Sequence, residues 1–258
     1  MPGPILIFDS GVGGLSVIPA LRRYLPDAAL VYACDNAMLP YGTRSDDWLV
    51  QRMLAVCGAA VAASGCSVLV VACNTASTLA LDALRHRLSV PVVGTVPAIK
   101  PAAAMSESRH IGLLATSATV SRSYTDRLIS EFAADCRVTR AAADSLVQEA
   151  ERILAGGAPD PAVIRAALEP LRAQADLDTV VLGCTHFPLL GEHLAAALPR
   201  RVRLVDSSEA LAPRTLQVAA AYARRMGRDR SLATAPDARL ARVLAAFDFD
   251  APSQLIAS

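Results

Sequence analysis

The chain has 258 residues, 53% of them hydrophobic, with a formal net charge of +1. That is enough apolar material for one large core or two smaller ones, and the near-neutral balance gives no electrostatic reason to expect nucleic acid or an acidic membrane as partner. The six cysteines include no Cys-x-x-Cys pair, which fits reduced thiols of a cytoplasmic protein rather than a disulfide framework.

The first apolar run, PILIF (4–8), predicts a buried strand ending at Asp9 and Ser10. No basic segment precedes it, so no signal peptide is expected. A glycine-rich turn follows, then a helical pattern over 14–24. ALVYA (29–33) predicts the next strand, ending at Cys34, Asp35 and Asn36. From Met53 to Leu81 there is no charged residue, the length of a membrane span. SGCS (64–67) divides it and SVLVVA (67–72) is β-branched, so it reads as buried helix, turn and strand. Further strands are expected at PVVG (91–94), HIGLL (110–114), DTVVL (178–182) and RLV (203–205), with helices at 78–88, 123–135 and, closing the first domain, 236–250. Arg200, Arg201 and Arg203, and then Arg224, Arg225, Arg228 and Arg230, follow apparent helices and read as solvated helix ends. Strands alternating with helices imply an α/β fold with mainly parallel sheets covered on both faces.

In such sheets ligands bind beyond the carboxyl ends of the strands. The residues there are Asp9-Ser10, Cys34-Asp35-Asn36, Cys73-Asn74-Thr75, Thr95, Thr116 and Cys184-Thr185-His186. VLVVACNTAS and TVVLGCTHFP share one pattern of apolar strand, small residue, cysteine, two polar residues and helix. This suggests two related α/β halves facing each other, each offering one cysteine. A helix N-terminus behind a thiol lowers its pKa. Two opposed thiols could form a disulfide, hold a metal or move a proton on both faces of one carbon. The cytoplasmic profile argues against the first, and no third and fourth ligand stand at recognisable spacing for the second. DSGVGG has neither the Gly-Lys-Ser/Thr of a phosphate loop nor the third glycine of a dinucleotide loop. Asp9 then either assists Cys73 or caps the helix at 14–24.

FDSGVGGLSV (8–17), DNAMLPYG (35–42), ACNTAST (72–78), VVGTVPAIKPA (92–102) and LGCTHFPLL (182–190) together resemble the glutamate racemases of the aspartate/glutamate racemase superfamily, in order along nearly the whole chain. The resemblance implies two similar α/β domains, 1–97 plus 207–258 and 98–206, with the active site in the cleft between them. It implies cofactor-independent interconversion of L- and D-glutamate, supplying peptidoglycan. Cys73 and Cys184 match the two acid/base residues, Asp9 the carboxylate assisting the first, and His186 the histidine beside the second. Asp9, Ser10, Tyr41, Gly42, Asn74, Thr75, Thr185 and His186 match the substrate contacts. Neither a metal nor a cofactor is expected. A pyridoxal enzyme needs a Schiff-base lysine, and the single lysine, Lys100, lies away from the cysteine motifs. Oligomeric state stays open, a homodimer included.

In one place the chain departs from the family pattern. A helper glutamate is expected in SLVQEAE (145–151), where the ungapped match puts Gln148. Gln148 cannot deliver a proton, so either the enzyme works without that carboxylate or Glu149 or Glu151 substitutes for it; as ordinary polar positions, all three would lie on a surface helix. Two further readings are a racemase of another acidic amino acid such as aspartate, and a catalytically weak module that binds a partner such as DNA gyrase. Intact Cys73, Cys184, Asp9 and His186 argue against the second. Some members of the family carry an extra N-terminal segment linked to activation by a cell-wall precursor; from a chain that opens on its first strand no such control is inferred.

Overall fold

A computed structural model of the chain describes residues 2–257. These form two compact units, Met1–Thr95 with Ser208–Ser258, and Val96–Ser207. In chain order the strands are β1 (Ile5–Asp9), β2 (Leu30–Cys34), β3 (Val68–Val71), β4 (Val92–Gly94), β5 (His110–Ala115), β6 (Arg137–Ala142), β7 (Thr179–Leu182), β8 (Arg203–Val205), β9 (Arg230–Ala233) and β10 (Ser253–Gln254). The first unit holds a sheet ordered β10-β9-β2-β1-β3-β4 and the second a sheet ordered β6-β5-β7-β8. Every ladder between these strands is parallel. Strands β1, β2, β3, β5 and β7 are buried along their whole length, as continuous apolar runs covered on both faces should be.

Both units repeat one strand order. Numbered within its own unit, each sheet contains the sequence 2-1-3-4, and the chain reverses direction between strands 1 and 3. That reversal opens a crevice at the carboxyl ends, where such sheets bind ligands. In the first unit the strands flanking it end at Asp9 and just before Cys73; in the second they end at Ala115 and just before Cys184.

Three strands carry no clear apolar run in the sequence. β6, β9 and β10 lie at or next to a sheet edge, and β6 is RVTRAA with mostly exposed or half-buried positions. Edge strands need one covered side and favour charge, which blunts the apolar signal. The helix expected over 14–24 is shorter, a 3₁₀ turn at Gly13–Val17 leading into an α-helix at Ile18–Tyr24. Pro19, in the first turn of that α-helix, has no N–H to give to a preceding turn. The charge-free stretch divides at Gly65, which adopts φ +63° and ends helix Asp46–Ser64 before β3 begins. Among the described residues no helix is long and apolar enough to cross a membrane.

Several arginines of the two knots are held by the protein rather than solvated at helix ends. Helix Ser208–Val218 stops well before Arg224, and helix Gly191–Ala197 before Arg200. Arg230 and Arg203 lie on strands, donating to Ser64 O at 2.9 Å and to Met105 O respectively. Arg225 reaches Asp229 at 3.5 Å and also pairs with Asp248, while Arg22 donates to Asp229 and to Ala28 O. The Asp229 carboxylate is buried and also accepts Leu30 N–H at 2.9 Å, so it ties β2 to the start of β9. Replacing it by alanine leaves two arginines facing a buried void. Asp229→Ala should cost about 3 kcal/mol, the low end for a broken buried pair because both arginines are partly exposed. Urea denaturation measures this; the circular dichroism of the folded protein at low temperature should be unaffected, since the tie sits at the opposite end of the sheet from Asp9 and Cys73.

Candidate active site

Asp9 closes β1 with no exposed surface. Its carboxylate accepts three hydrogen bonds from the turn that follows: Oδ1 takes Ser10 Oγ–H and Gly11 N–H, each at 3.1 Å, and Oδ2 takes Gly14 N–H. A buried carboxylate needs such donors in place of the water it has lost. Gly14 must be glycine for this approach, because a Cβ there would stand 2.9 Å from Asp9 Cβ and 3.1 Å from Ala72 Cβ. Ser10 Oγ also lies 3.7 Å from Cys73 Sγ. A continuous path therefore runs from the thiol through the hydroxyl to the carboxylate. Asp9 thus bonds N–H groups of the turn that precedes the helical segment and lies one hydroxyl away from Cys73.

Cys73 is buried at the N-cap of the fourteen-residue helix Asn74–Arg87. Asn74 and Thr75 form its first turn and are buried too, and Asn74 Oδ1 is a buried acceptor without a hydrogen-bond donor. A ligand with N–H groups would satisfy it. Tyr41 and Gly42 belong to a 3₁₀ turn at Tyr41–Thr43 beyond β2. The Tyr41 ring points inward, its hydroxyl donating to Asp35 Oδ2 at 2.6 Å. Contact between Tyr41 and a ligand would therefore fall to its main chain.

In the second unit Cys184 and Thr185 follow β7, buried, with His186 beside them. The next segment is a 3₁₀ turn at Phe187–Leu190, with Pro188 in it, followed by helix Gly191–Ala197. Cys184 thus lacks the long helix at its back that Cys73 has. Its neighbour is an imidazole instead: His186 Nδ1 lies 4.0 Å from Cys184 Sγ, and His186 Nε2 lies 3.1 Å from Glu151 Oε1. Thiol, ring and carboxylate form a second path of the same kind as Cys73, Ser10 and Asp9.

Glu151, one of the two acids weighed beside Gln148, is the carboxylate that reaches His186. It lies on helix Ser145–Leu154 with Gln148 and Glu149, but the three diverge. Gln148 is exposed, and in the amide orientation that satisfies both atoms its nitrogen donates to Asp144 O at 3.0 Å and Ser145 O at 3.1 Å. Glu149 is buried and accepts Asp160 N–H at 2.7 Å, holding the entry to helix Pro161–Arg172. Only Glu151 meets the histidine. A cavity of about 320 Å³ lined by Pro161, Ile164, Arg165, Arg172, His193, Ala196 and Ala197 contains none of the strand-end residues. Among the described residues no group of three His, Cys, Asp or Glu side chains is arranged to hold a metal ion. Lys100 stacks its Nζ on the Phe132 ring at 5.3 Å.

Residues 14–215 match the family model for Asp/Glu/hydantoin racemase. A glutamate racemase of Photorhabdus laumondii is 50% identical over 212 residues, 82% of this chain and 74% of that protein. One from Shewanella loihica is 50% identical over 218 residues, 84% and 82% of the two chains. Among solved structures, Escherichia coli glutamate racemase in complex with L-glutamate and the activator UDP-MurNAc-Ala is similar with a TM-score of 0.94 at 41% identity, covering 100% of each chain. A Bacillus anthracis glutamate racemase isoform follows at TM-score 0.85 and 28% identity, over 98% of each chain.

The contact between Gly14 and Asp9 can be tested by adding one methyl group. Gly14→Ala should destabilise by roughly 1–3 kcal/mol through overpacking. Gly58→Ala is the control: it lies within helix Asp46–Ser64 and a Cβ there meets nothing within 4 Å. It should be neutral or stabilising by up to about 1 kcal/mol. Paired thermal melts measure both.

Proposed function

The chain belongs to the Asp/Glu/hydantoin racemase family and is an isomerase, and on that footing we propose that it interconverts L- and D-glutamate by proton transfer between two cysteines, Cys73 and Cys184, without a cofactor. D-glutamate made this way in the cytoplasm would supply peptidoglycan. The observation that carries the reading is the matched pair of strand-end thiols. Each follows the third strand of a 2-1-3-4 sheet, and each is joined through one polar group to a buried or half-buried carboxylate.

In the reaction one cysteine, as thiolate, removes the α-proton from one face of the substrate, and the other, as thiol, delivers a proton to the opposite face. The C–H bond broken and the C–H bond formed are on the same carbon, so the centre inverts with no net change in charge or oxidation state. The two cysteines finish with exchanged protonation. The Ser10–Asp9 and His186–Glu151 paths give each thiol a partner through which its proton can be reset between turnovers. Asn74 Oδ1 is an acceptor suited to the substrate ammonium.

Two predictions follow from the assignment of roles. Cys73→Ala and Cys184→Ala should each abolish racemisation in both directions, because each thiol is base in one direction and acid in the other. Circular dichroism from either enantiomer reads this, and a variant keeping more than about a tenth of wild-type kcat would refute the two-base scheme, given that a positioned acid or base contributes roughly 10²–10⁴-fold. Glutamate should also shield both thiols from alkylation, with the partly exposed Cys136 as the unshielded reference.

The helper residue is tested on helix Ser145–Leu154. Glu151→Gln should lower kcat about tenfold or more in at least one direction, whereas Gln148→Glu should leave it within about twofold. Because the enantiomers have equal free energy, kcat/KM must remain equal in the two directions in every variant. Any asymmetry between directions has to appear in kcat and KM together.

A further inference from the structure

The racemisation scheme leaves a heavily bonded buried carboxylate of the first unit unused. Asp35, just past β2, has no exposed surface. Arg52 meets it with a two-pronged contact, Nε to Oδ2 at 2.8 Å and Nη2 to Oδ1 at 2.7 Å. Tyr41 Oη–H donates to the same Oδ2 at 2.6 Å. Burial alone would raise the Asp35 carboxyl, but the bonds from Arg52, Tyr41 and Thr234 outweigh it and hold it below its ordinary value. Burial also pushes the Tyr41 phenol far above its ordinary range, with the Asp35 charge adding to the effect, so Tyr41 remains a neutral donor.

The surrounding geometry ties this cluster to the strand ends. Asp35 N–H donates to Asp9 O at 3.1 Å, which joins the cluster's main chain to the residue beside Cys73. On helix Asp46–Ser64, Trp48 and Arg52 are four residues apart and so share a face. Trp48 packs edge-on against the Tyr41 ring at 6.4 Å, and the Arg44 guanidinium covers Trp48 at 5.2 Å. The Tyr41–Thr43 turn is therefore held from the helix on one side and from β2 on the other.

We propose that Asp35 and Arg52 are positioning residues of the reaction, acting through the Tyr41 hydroxyl to fix the Tyr41–Gly42 turn where it holds a carboxylate of the substrate. This deepens the glutamate racemase reading and rests on it. The arrangement explains how a cation can lie close to an anion-binding turn without becoming the anion's partner. The Arg52 fork is spent on Asp35, so the turn offers main-chain dipoles rather than a full charge. A full charge would grip one carboxylate tightly in both enantiomers and in the carbanion alike, which binds without accelerating.

The brace is tested by Tyr41→Phe, which removes one oxygen and leaves the ring, the turn and the Asp35–Arg52 pair in place. The expected result is a rise in KM for glutamate of about tenfold in both directions with kcat kept within about threefold, the signature of lost uniform binding. Arg52→Lys keeps the charge but not the fork, and should raise KM in the same way. Should Arg52→Lys fail to fold, Tyr41→Phe decides alone. A wild-type KM in Tyr41→Phe overturns the proposal, and so does a fall in kcat at unchanged KM, which would put the hydroxyl in the chemistry. The underlying activity is read separately: wild-type protein that does not racemise glutamate overturns the function and the brace with it, whereas an active wild type with an unaffected Tyr41→Phe overturns the brace alone.

Discussion

Asp9 carries a carboxylate with no exposed surface at the end of a fully buried strand. Leaving such a charge unsatisfied would cost several kcal/mol, so the turn that follows is built around it. Ser10 and Gly11 bond one oxygen and Gly14 the other. The residue at 14 must lack a Cβ because Asp9 and Ala72 already occupy the space. Ala72 directly precedes Cys73, so the same close packing that settles the carboxylate sets the position of the thiol. Asp35 N–H on Asp9 O carries the constraint one strand further, to the buried cluster that holds Tyr41. One desolvated charge thus organises the carboxyl end of the first sheet.

The second unit meets the same need by different means. It repeats the strand order and again places a cysteine after its third strand. The segment after that cysteine is a four-residue 3₁₀ turn rather than a long helix, and an imidazole stands beside the thiol. Glu151 on the other ring nitrogen orients the histidine, as carboxylates commonly do for functional imidazoles. Each unit therefore sets its strand-end cysteine beside a polar path to a carboxylate, through a hydroxyl in one case and an imidazole in the other.

Much of this was legible in the residues. Buried parallel strands need continuous apolar runs, so β1, β2, β3, β5 and β7 could be read directly and the short edge strands β4 and β8 from the apolar residues they carry, and the polar residues ending these runs include both cysteines, Asp9 and His186. The strands that escaped notice, β6, β9 and β10, are edge or near-edge strands whose charged and small residues look like loop. The arginine knots misled for a related reason. Solvated helix ends and carbonyl-bracing strand arginines have the same composition, and only the neighbouring chain tells them apart.

The sequence by itself determined the alternation of strand and helix, and hence the parallel α/β architecture, because that depends on local periodicity. It also determined which side chains stand at the strand ends, because those directly follow the apolar runs. Only the tertiary structure decided which of Gln148, Glu149 and Glu151 lies against His186. Successive helix residues point about 100° apart. One of these faces solvent, one is claimed by Asp160 N–H, and one reaches the histidine, according to what the rest of the unit packs against each face. The same holds for Tyr41: its place beside a glycine is local, but the inward turn of its hydroxyl follows from Asp35 and Arg52, which a strand and a helix bring together from seventeen residues apart.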